Sequence, residues 1–67
     1  MEIFINEKKY SIKDQNTISE MIRELEIKGN TGMAIAVNNS VIPKKDWENT
    51  KLCSGDNILL IHATSGG

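Results

Sequence analysis

The sequence has very few of the residues that build cross-linked or metal-bound proteins. Its 67 residues include one cysteine, Cys53, and one histidine, His62. A single cysteine forms no disulfide within the chain, and these two residues alone cannot supply the ligands of a structural zinc site or an iron–sulfur cluster. We therefore exclude a disulfide-stapled domain and expect that the chain itself binds no metal and no other cofactor.

Long apolar runs and a strong excess of either charge are also absent. No stretch approaches the roughly 20 apolar residues of a membrane-spanning helix, and the first residues lack the basic start of a signal peptide. Eight Lys and Arg residues against nine Asp and Glu residues give a formal charge of −1, which offers no general attraction to phosphate backbones. We expect a cytoplasmic protein that binds neither membranes nor nucleic acids.

The chain does contain enough apolar sequence for one small domain. Hydrophobic residues make up 39% and charged residues 25%, which is ordinary for a globular protein. A chain of this length buries only about 60% of the surface that its unfolded form exposes, so an enclosed catalytic cleft would compete with the core for side chains. The size therefore favours a carrier or a binding module over an enzyme.

Alternating and continuous apolar segments predict the strands. The expected strands cover residues 2–6, 9–13, 33–37, 41–42 and 57–63. The first two alternate like a β-hairpin, and the last is the most apolar. Pro43, which lacks a backbone donor, ends the fourth strand, and residues 44–48 are expected to form a short helical turn.

One amphipathic helix is predicted between the second and third strands. Thr17 and Glu20 form a capping box at its start, and Gly29 suits the left-handed conformation that closes a helix, so the helix is expected over residues 17–28. Its apolar stripe consists of Ile18, Met21, Ile22 and Leu25. This stripe is predicted to cover the sheet.

The order of these elements predicts an α+β roll with a mixed four- to five-stranded sheet and one main helix across one face. The folded domain is expected to cover residues 1–63. Residues 64–67 form a predicted flexible tail that ends in Gly-Gly.

The chemistry of this tail is restricted to its terminal carboxylate. Gly66 and Gly67 have no Cβ, so together with Ser65 they can thread through a channel too narrow for larger side chains. The carboxylate of Gly67 acylates poorly until it is converted to a mixed anhydride such as an acyl-adenylate. Another protein would have to activate it, and the alternative reading of the tail is simply a frayed terminus.

Three segments resemble the ubiquitin-like sulfur carriers, and in particular the ThiS family of thiamine biosynthesis. They are NTISEMI (residues 16–22), AIAVNNSVIPKKDW (residues 34–47) and GDNILLI (residues 55–61), and they are followed by Gly66-Gly67. The resemblance covers essentially the whole chain. It implies a β-grasp, ubiquitin-like fold and a chain that is a carrier rather than an enzyme.

The same resemblance implies the partners of the carrier. A ThiF-type adenylyltransferase would use ATP and Mg to adenylate the carboxylate of Gly67. Sulfur from a cysteine desulfurase persulfide would then replace AMP, and the resulting thiocarboxylate would donate its sulfur to a ThiG-type thiazole synthase for the thiazole ring.

A partner that activates the tail also needs a surface on which to dock. Strand residues alternate between the two sides of a sheet, and the run 58–61 provides apolar groups for both. We therefore predict docking on the face turned away from the helix, with Phe4, Leu59 and Ile61 as the contact residues.

The remaining conspicuous residues receive structural interpretations. Cys53 has no neighbouring charge pattern that activates a thiol, His62 is expected to pack or to contact a partner, and Trp47 is expected to support the core. Two other functions stay open: a carrier of the molybdopterin-synthase small-subunit type, and a non-covalent β-grasp module that binds proteins.

Overall fold

The computed structural model describes residues 1–28 and 32–62. Its strands are β1 (Glu2–Ile5), β2 (Lys8–Ser11), β3 (Met33–Val37), β4 (Ser40–Ile42) and β5 (Asn57–His62). Its helices are α1 (Ile18–Glu24) and a 3-10 helix (Lys44–Asp46). The predicted strands and the predicted helical turn are therefore all present. Strand β3 has the predicted ends, the ends of the other elements differ by at most two residues, and residue 63 lies outside the described residues.

The five strands form one mixed sheet in the order β2-β1-β5-β3-β4. Strand β5 lies between β1 and β3, parallel to β1 and antiparallel to β3, while β1–β2 and β3–β4 are antiparallel hairpins. The predicted α+β architecture is confirmed. The last strand of the chain is thus the central strand of the sheet.

Both hairpins close through two-residue turns in which the two turn residues have positive φ. These φ angles are 50° and 71° at Asn6 and Glu7, and 51° and 72° at Asn38 and Asn39. Two positive φ angles define a type I′ turn, whose twist matches that of the flanking strands. Three of the four turn residues are asparagines, which tolerate this conformation, and the fourth is Glu7, so both hairpins form without the Asn-Gly signal that is typical of such turns.

Helix α1 begins as predicted. The hydroxyl of Thr17 accepts a hydrogen bond from the backbone N–H of Glu20, and the Glu20 carboxylate accepts one from the backbone N–H of Thr17, so the capping box is complete. Ile18 and Met21 are fully buried. The predicted stripe therefore does face the sheet.

The helix ends earlier than the predicted residue 28. The backbone N–H of Ile27 donates to Ile22 O at 3.0 Å, and that of Glu26 donates to Arg23 O at 3.2 Å, while Glu26 has a φ of 54°. These features form a Schellman motif, in which a left-handed residue satisfies the last carbonyls of a helix. Glu26 takes the left-handed position that the sequence suggested for Gly29, and Gly29 lies outside the described residues.

The core lies between α1 and the sheet. It consists of Ile3, Ile5, Ile12, Ile18, Met21, Met33, Ile35, Trp47, Leu52 and Ile58. Trp47 is 4% exposed, and its Nε1–H donates a 2.9 Å hydrogen bond to Ile42 O. The prediction that Trp47 supports the core is confirmed, and its only polar group is satisfied by strand β4.

Candidate functional site

The side of the sheet opposite α1 carries the surface that we call the open face. In β1, β3 and β5 the core residues alternate with residues that point away from the helix. The apolar members of this second set, together with their neighbour on β4, are Phe4, Ala34, Ala36, Val41, Leu59 and Ile61. All three residues predicted to dock a partner therefore lie on the open face.

The strand register places the apolar residues of the open face in rows across the sheet. Ala36 pairs with Leu59 on one side and with Val41 on the other. In the next row, Ala34 pairs with Ile61. Because the two alanines are small, the larger side chains of β4 and β5 stand higher than the strand between them.

These larger side chains are exposed to a degree that is unusual for apolar residues. Val41 is 73% exposed, Leu59 51% and Ile61 50%, whereas Phe4 is half-buried. Val41 was missed by the reasoning from sequence. It precedes Ile42, which is partly buried against the core, so strand alternation could have placed Val41 on the opposite side. The patch spans β5, β3 and β4, with Phe4 beside it on β1.

A pair of opposite charges lies at the β1–β2 border of the open face. Lys9 on β2 pairs with Phe4, and its Nζ lies 3.9 Å from Oε1 of Glu2 on β1. Such an exposed pair contributes little to stability. The exposed large side chains that β5 and β4 place on this face, Val41, Leu59 and Ile61, are apolar, so a complementary partner surface would be apolar there and charged near β2.

Strand β5 joins this face to the segment that was predicted to react. Leu59 and Ile61 lie in β5, and Ile61 precedes Gly67 by six residues. The predicted modification of Gly67, the threading role of Gly66 and Ser65, and the flexible tail 64–67 all lie outside the described residues. An extended chain of six residues spans at most about 20 Å.

The other candidate residues occupy different places. Cys53 is exposed in the turn before β5, where its backbone N–H donates to Oδ2 of Asp56 at 2.7 Å. His62 is exposed at the end of β5, with Nε2 3.3 Å from Lys28 O. Among residues 1–28 and 32–62, neither side chain is brought together with another residue that suggests catalysis.

Two further observations concern metals and membranes. Within residues 1–28 and 32–62, no group of three or more His, Cys, Asp or Glu side chains is arranged to hold a metal ion. None of the helices in this part of the chain is long and apolar enough to cross a membrane.

A small mixed sheet with one helix across it and an apolar open face defines a β-grasp, ubiquitin-like domain. The model of the ThiS family matches residues 1–67, and the chain therefore belongs to the ThiS family. It is 28% identical over 67 residues to the sulfur carrier protein ThiS of Escherichia coli (strain K12), and the match covers 100% of both chains.

Solved structures support the same fold. The crystal structure of the thiamine biosynthesis protein ThiS from Geobacter metallireducens superimposes with a TM-score of 0.87 over 100% of both chains, at 17% identity. A solution structure of a thiamine biosynthesis protein from the same organism gives a TM-score of 0.77 at 17% identity and covers 100% of this chain and 88% of that one. The predicted β-grasp fold is confirmed.

Proposed function

We propose that this chain is a sulfur carrier protein of thiamine biosynthesis. The observation that carries the proposal is the match of the ThiS family model to residues 1–67, which includes Gly66 and Gly67. The Escherichia coli relative, which is a sulfur carrier protein, aligns over its whole length. In this proposal the chain is a cosubstrate of other enzymes and not an enzyme itself.

The proposed chemistry takes place at the carboxylate of Gly67. In the active site of a ThiF-type adenylyltransferase, a carboxylate oxygen attacks the α-phosphorus of Mg-bound ATP, and pyrophosphate leaves. The acyl-adenylate is then attacked by the terminal sulfur of a persulfide, which a cysteine desulfurase supplies, and AMP leaves. A thiol cleaves the acyl disulfide, is itself oxidised to a disulfide, and releases the thiocarboxylate. A ThiG-type thiazole synthase accepts its sulfur.

We further propose that the open face docks the adenylating enzyme. Leu59, Ile61 and Val41 supply the exposed apolar area that an interface core needs, and Lys9 with Glu2 supplies a polar border. Exposed apolar groups that pack against nothing within a domain are a common mark of an interaction surface. Because the activation step consumes ATP, we place the carrier in the cytoplasm.

Mass spectrometry of the C-terminal peptide tests the proposal. The protein is incubated with ATP, Mg, its host's adenylating enzyme and a persulfide donor, and the peptide is then alkylated. Alkylation distinguishes the replacement of oxygen by sulfur from an oxidation, which has the same nominal mass gain. Fragmentation then separates a label on Gly67 from one on the thiol of Cys53, which reacts with the same reagent. We expect an alkylated thiocarboxylate on Gly67, and no such product from a chain that lacks Gly67.

A known carrier serves as the positive control, and two other outcomes would indicate different functions. The Escherichia coli relative is processed in parallel with its own enzyme to show that the chemistry works. A Gly67 that stays a plain carboxylate beside a modified control would contradict the carrier function and favour a protein-binding module. Sulfur transfer to a molybdopterin synthase and not to thiazole synthase would move the carrier to the other pathway.

A further inference from the structure

Asn6 connects the end of β1 to the second half of β5 through three hydrogen bonds. Its backbone N–H donates to Ile58 O at 2.9 Å. Its side-chain Nδ2 donates to Leu60 O at 3.2 Å, and its Oδ1 accepts from the backbone N–H of Leu60 at 2.9 Å. The side-chain amide therefore satisfies both polar backbone groups of Leu60 on that edge.

Strand β5 needs this contact because its two edges are supported unequally. On one edge, β3 pairs with it from Ile58 to His62. On the other, the described register of β1 pairs only with Asn57 and Ile58, since the chain turns into β2 at Asn6. A primary amide carries the same C=O and N–H groups as a peptide unit, so the Asn6 side chain extends the parallel ladder by one further step.

The same structural device occurs once more, at the opposite end of β5. Asn38 has a φ of 51° in the turn between β3 and β4, and its Oδ1 accepts from the backbone N–H of Asn57 at 3.0 Å. Its Nδ2 donates to Oδ1 of Asp56 at 3.0 Å. One asparagine therefore holds the start of β5, and the other holds the part that leads to the tail.

We propose that Asn6 is a positioning residue for the activation of Gly67, an inference that rests on the proposed carrier function. Leu60 lies between Leu59 and Ile61, the two residues of β5 on the open face. Fixing the backbone of Leu60 fixes how these two side chains are presented and the direction in which the chain leaves the sheet. Asn6 thereby acts on the activation of Gly67 through the backbone of β5, whose described part ends at His62.

The test compares Asn6→Gly with Asn38→Gly. Glycine adopts a positive φ without strain, so both variants keep their turn and lose only the side-chain hydrogen bonds. The measurements are amide hydrogen exchange of the free proteins and steady-state adenylation by the host's enzyme, followed as pyrophosphate release. Urea denaturation confirms that both variants are folded.

We expect Asn6→Gly to raise the exchange rate of the Leu60 amide about tenfold and to lower the kcat of adenylation about tenfold, with a smaller change in KM. Asn38→Gly should raise the exchange rate of the Asn57 amide and should be adenylated with the same kcat as the unmodified chain. Asn6→Asp, which keeps the acceptor for the Leu60 amide and loses the donor, should lie between Asn6→Gly and the unmodified chain.

Two outcomes are decisive against the inference and can be told apart. Equal kcat values for Asn6→Gly and Asn38→Gly, with an active unmodified chain, would overturn the positioning role of Asn6 alone. An unmodified chain that is not adenylated at all, beside an active control carrier, would overturn the proposed function and this inference together.

Discussion

The two faces of the sheet are built from the same strands but have opposite relations to solvent. In β5, Ile58 is 3% exposed and Leu59 is 51% exposed, although the two residues are adjacent and similar in size. Ile58 lies in the core beneath α1, whereas Leu59 lies on the open face. The fold therefore requires the apolar residues of one face only, and those of the other face remain available for a partner.

The largest predicted effect is a difference in the free energy of unfolding between substitutions on the two faces. Ile58→Ala should lower the free energy of unfolding by about 3 kcal/mol, because it removes buried methyl groups and leaves a cavity. Leu59→Ala should lower it by less than about 1 kcal/mol, since half of that side chain already contacts water. Urea denaturation followed by circular dichroism measures both, and equal losses would show that Leu59 belongs to the core.

For binding to the adenylating enzyme, in contrast to stability, we predict a large effect of substituting Leu59. Leu59→Asp should weaken binding to the adenylating enzyme about 100-fold, or about 2.7 kcal/mol, because a charge would be desolvated at the centre of an apolar interface. Isothermal titration calorimetry with the purified enzyme measures this change. Asn49→Asp is the matched control, since it adds the same charge at an exposed position next to the 3-10 helix.

Unchanged affinity of a folded Leu59→Asp protein would remove the open face as the docking surface. Loss of the folded circular dichroism spectrum would instead assign Leu59 a structural role. Either result would contradict the assignment of core packing to one face of the sheet and of partner binding to the other.

Much of the fold could be predicted because its strands carry strong local patterns. The continuous apolar runs of β3 and β5 identify both strands. Because successive strand residues lie on opposite sides of a sheet, Leu59 and Ile61 could be placed together on one face. Val41 was missed because β4 has only three residues and its exposure depends on lying at the edge of the sheet.

Contacts between distant parts of the chain were not predictable in this way. Asn6 and Leu60 are 54 residues apart in sequence, and their hydrogen bonds exist only because β1 and β5 are neighbours in the sheet. The C-terminal end of α1 was also predicted at the wrong residue. A left-handed residue closes the helix, and the rule that assigns this position to glycine gives no indication of Glu26.

A smaller effect is predicted at the C-terminal end of α1. A substitution there should stabilise the folded state without changing the open face. Glu26→Gly should raise the free energy of unfolding by about 0.5 to 1 kcal/mol, because glycine adopts a φ of 54° without the steric cost that a Cβ imposes. Urea denaturation measures the gain. Affinity for the adenylating enzyme should stay the same. Glu24→Gly, at the last residue of the helix, should be destabilising instead, since it also removes the carboxylate that accepts hydrogen bonds from the backbone N–H of Lys13 and from Nδ2 of Asn16.

The smallest predicted effect concerns how low pH reduces the stability of helix α1, which covers the core. The hydrogen bond that the Glu20 carboxylate accepts from the backbone N–H of Thr17 lowers its pKa below the ordinary value of 4.5. A carboxyl group with a lowered pKa in the folded state stabilises that state above the unfolded pKa, and this contribution is lost as the pH falls through the folded pKa. Glu20→Gln keeps an acceptor oxygen without the charge. Its urea midpoint should lie slightly below that of the unmodified chain at about pH 7, and the difference should disappear at about pH 2. Glu7→Gln, in the exposed turn between β1 and β2, is the control for loss of a carboxylate away from the cap. A Glu20→Gln difference that persists unchanged in acid would show that the charge of Glu20 does not stabilise the start of α1.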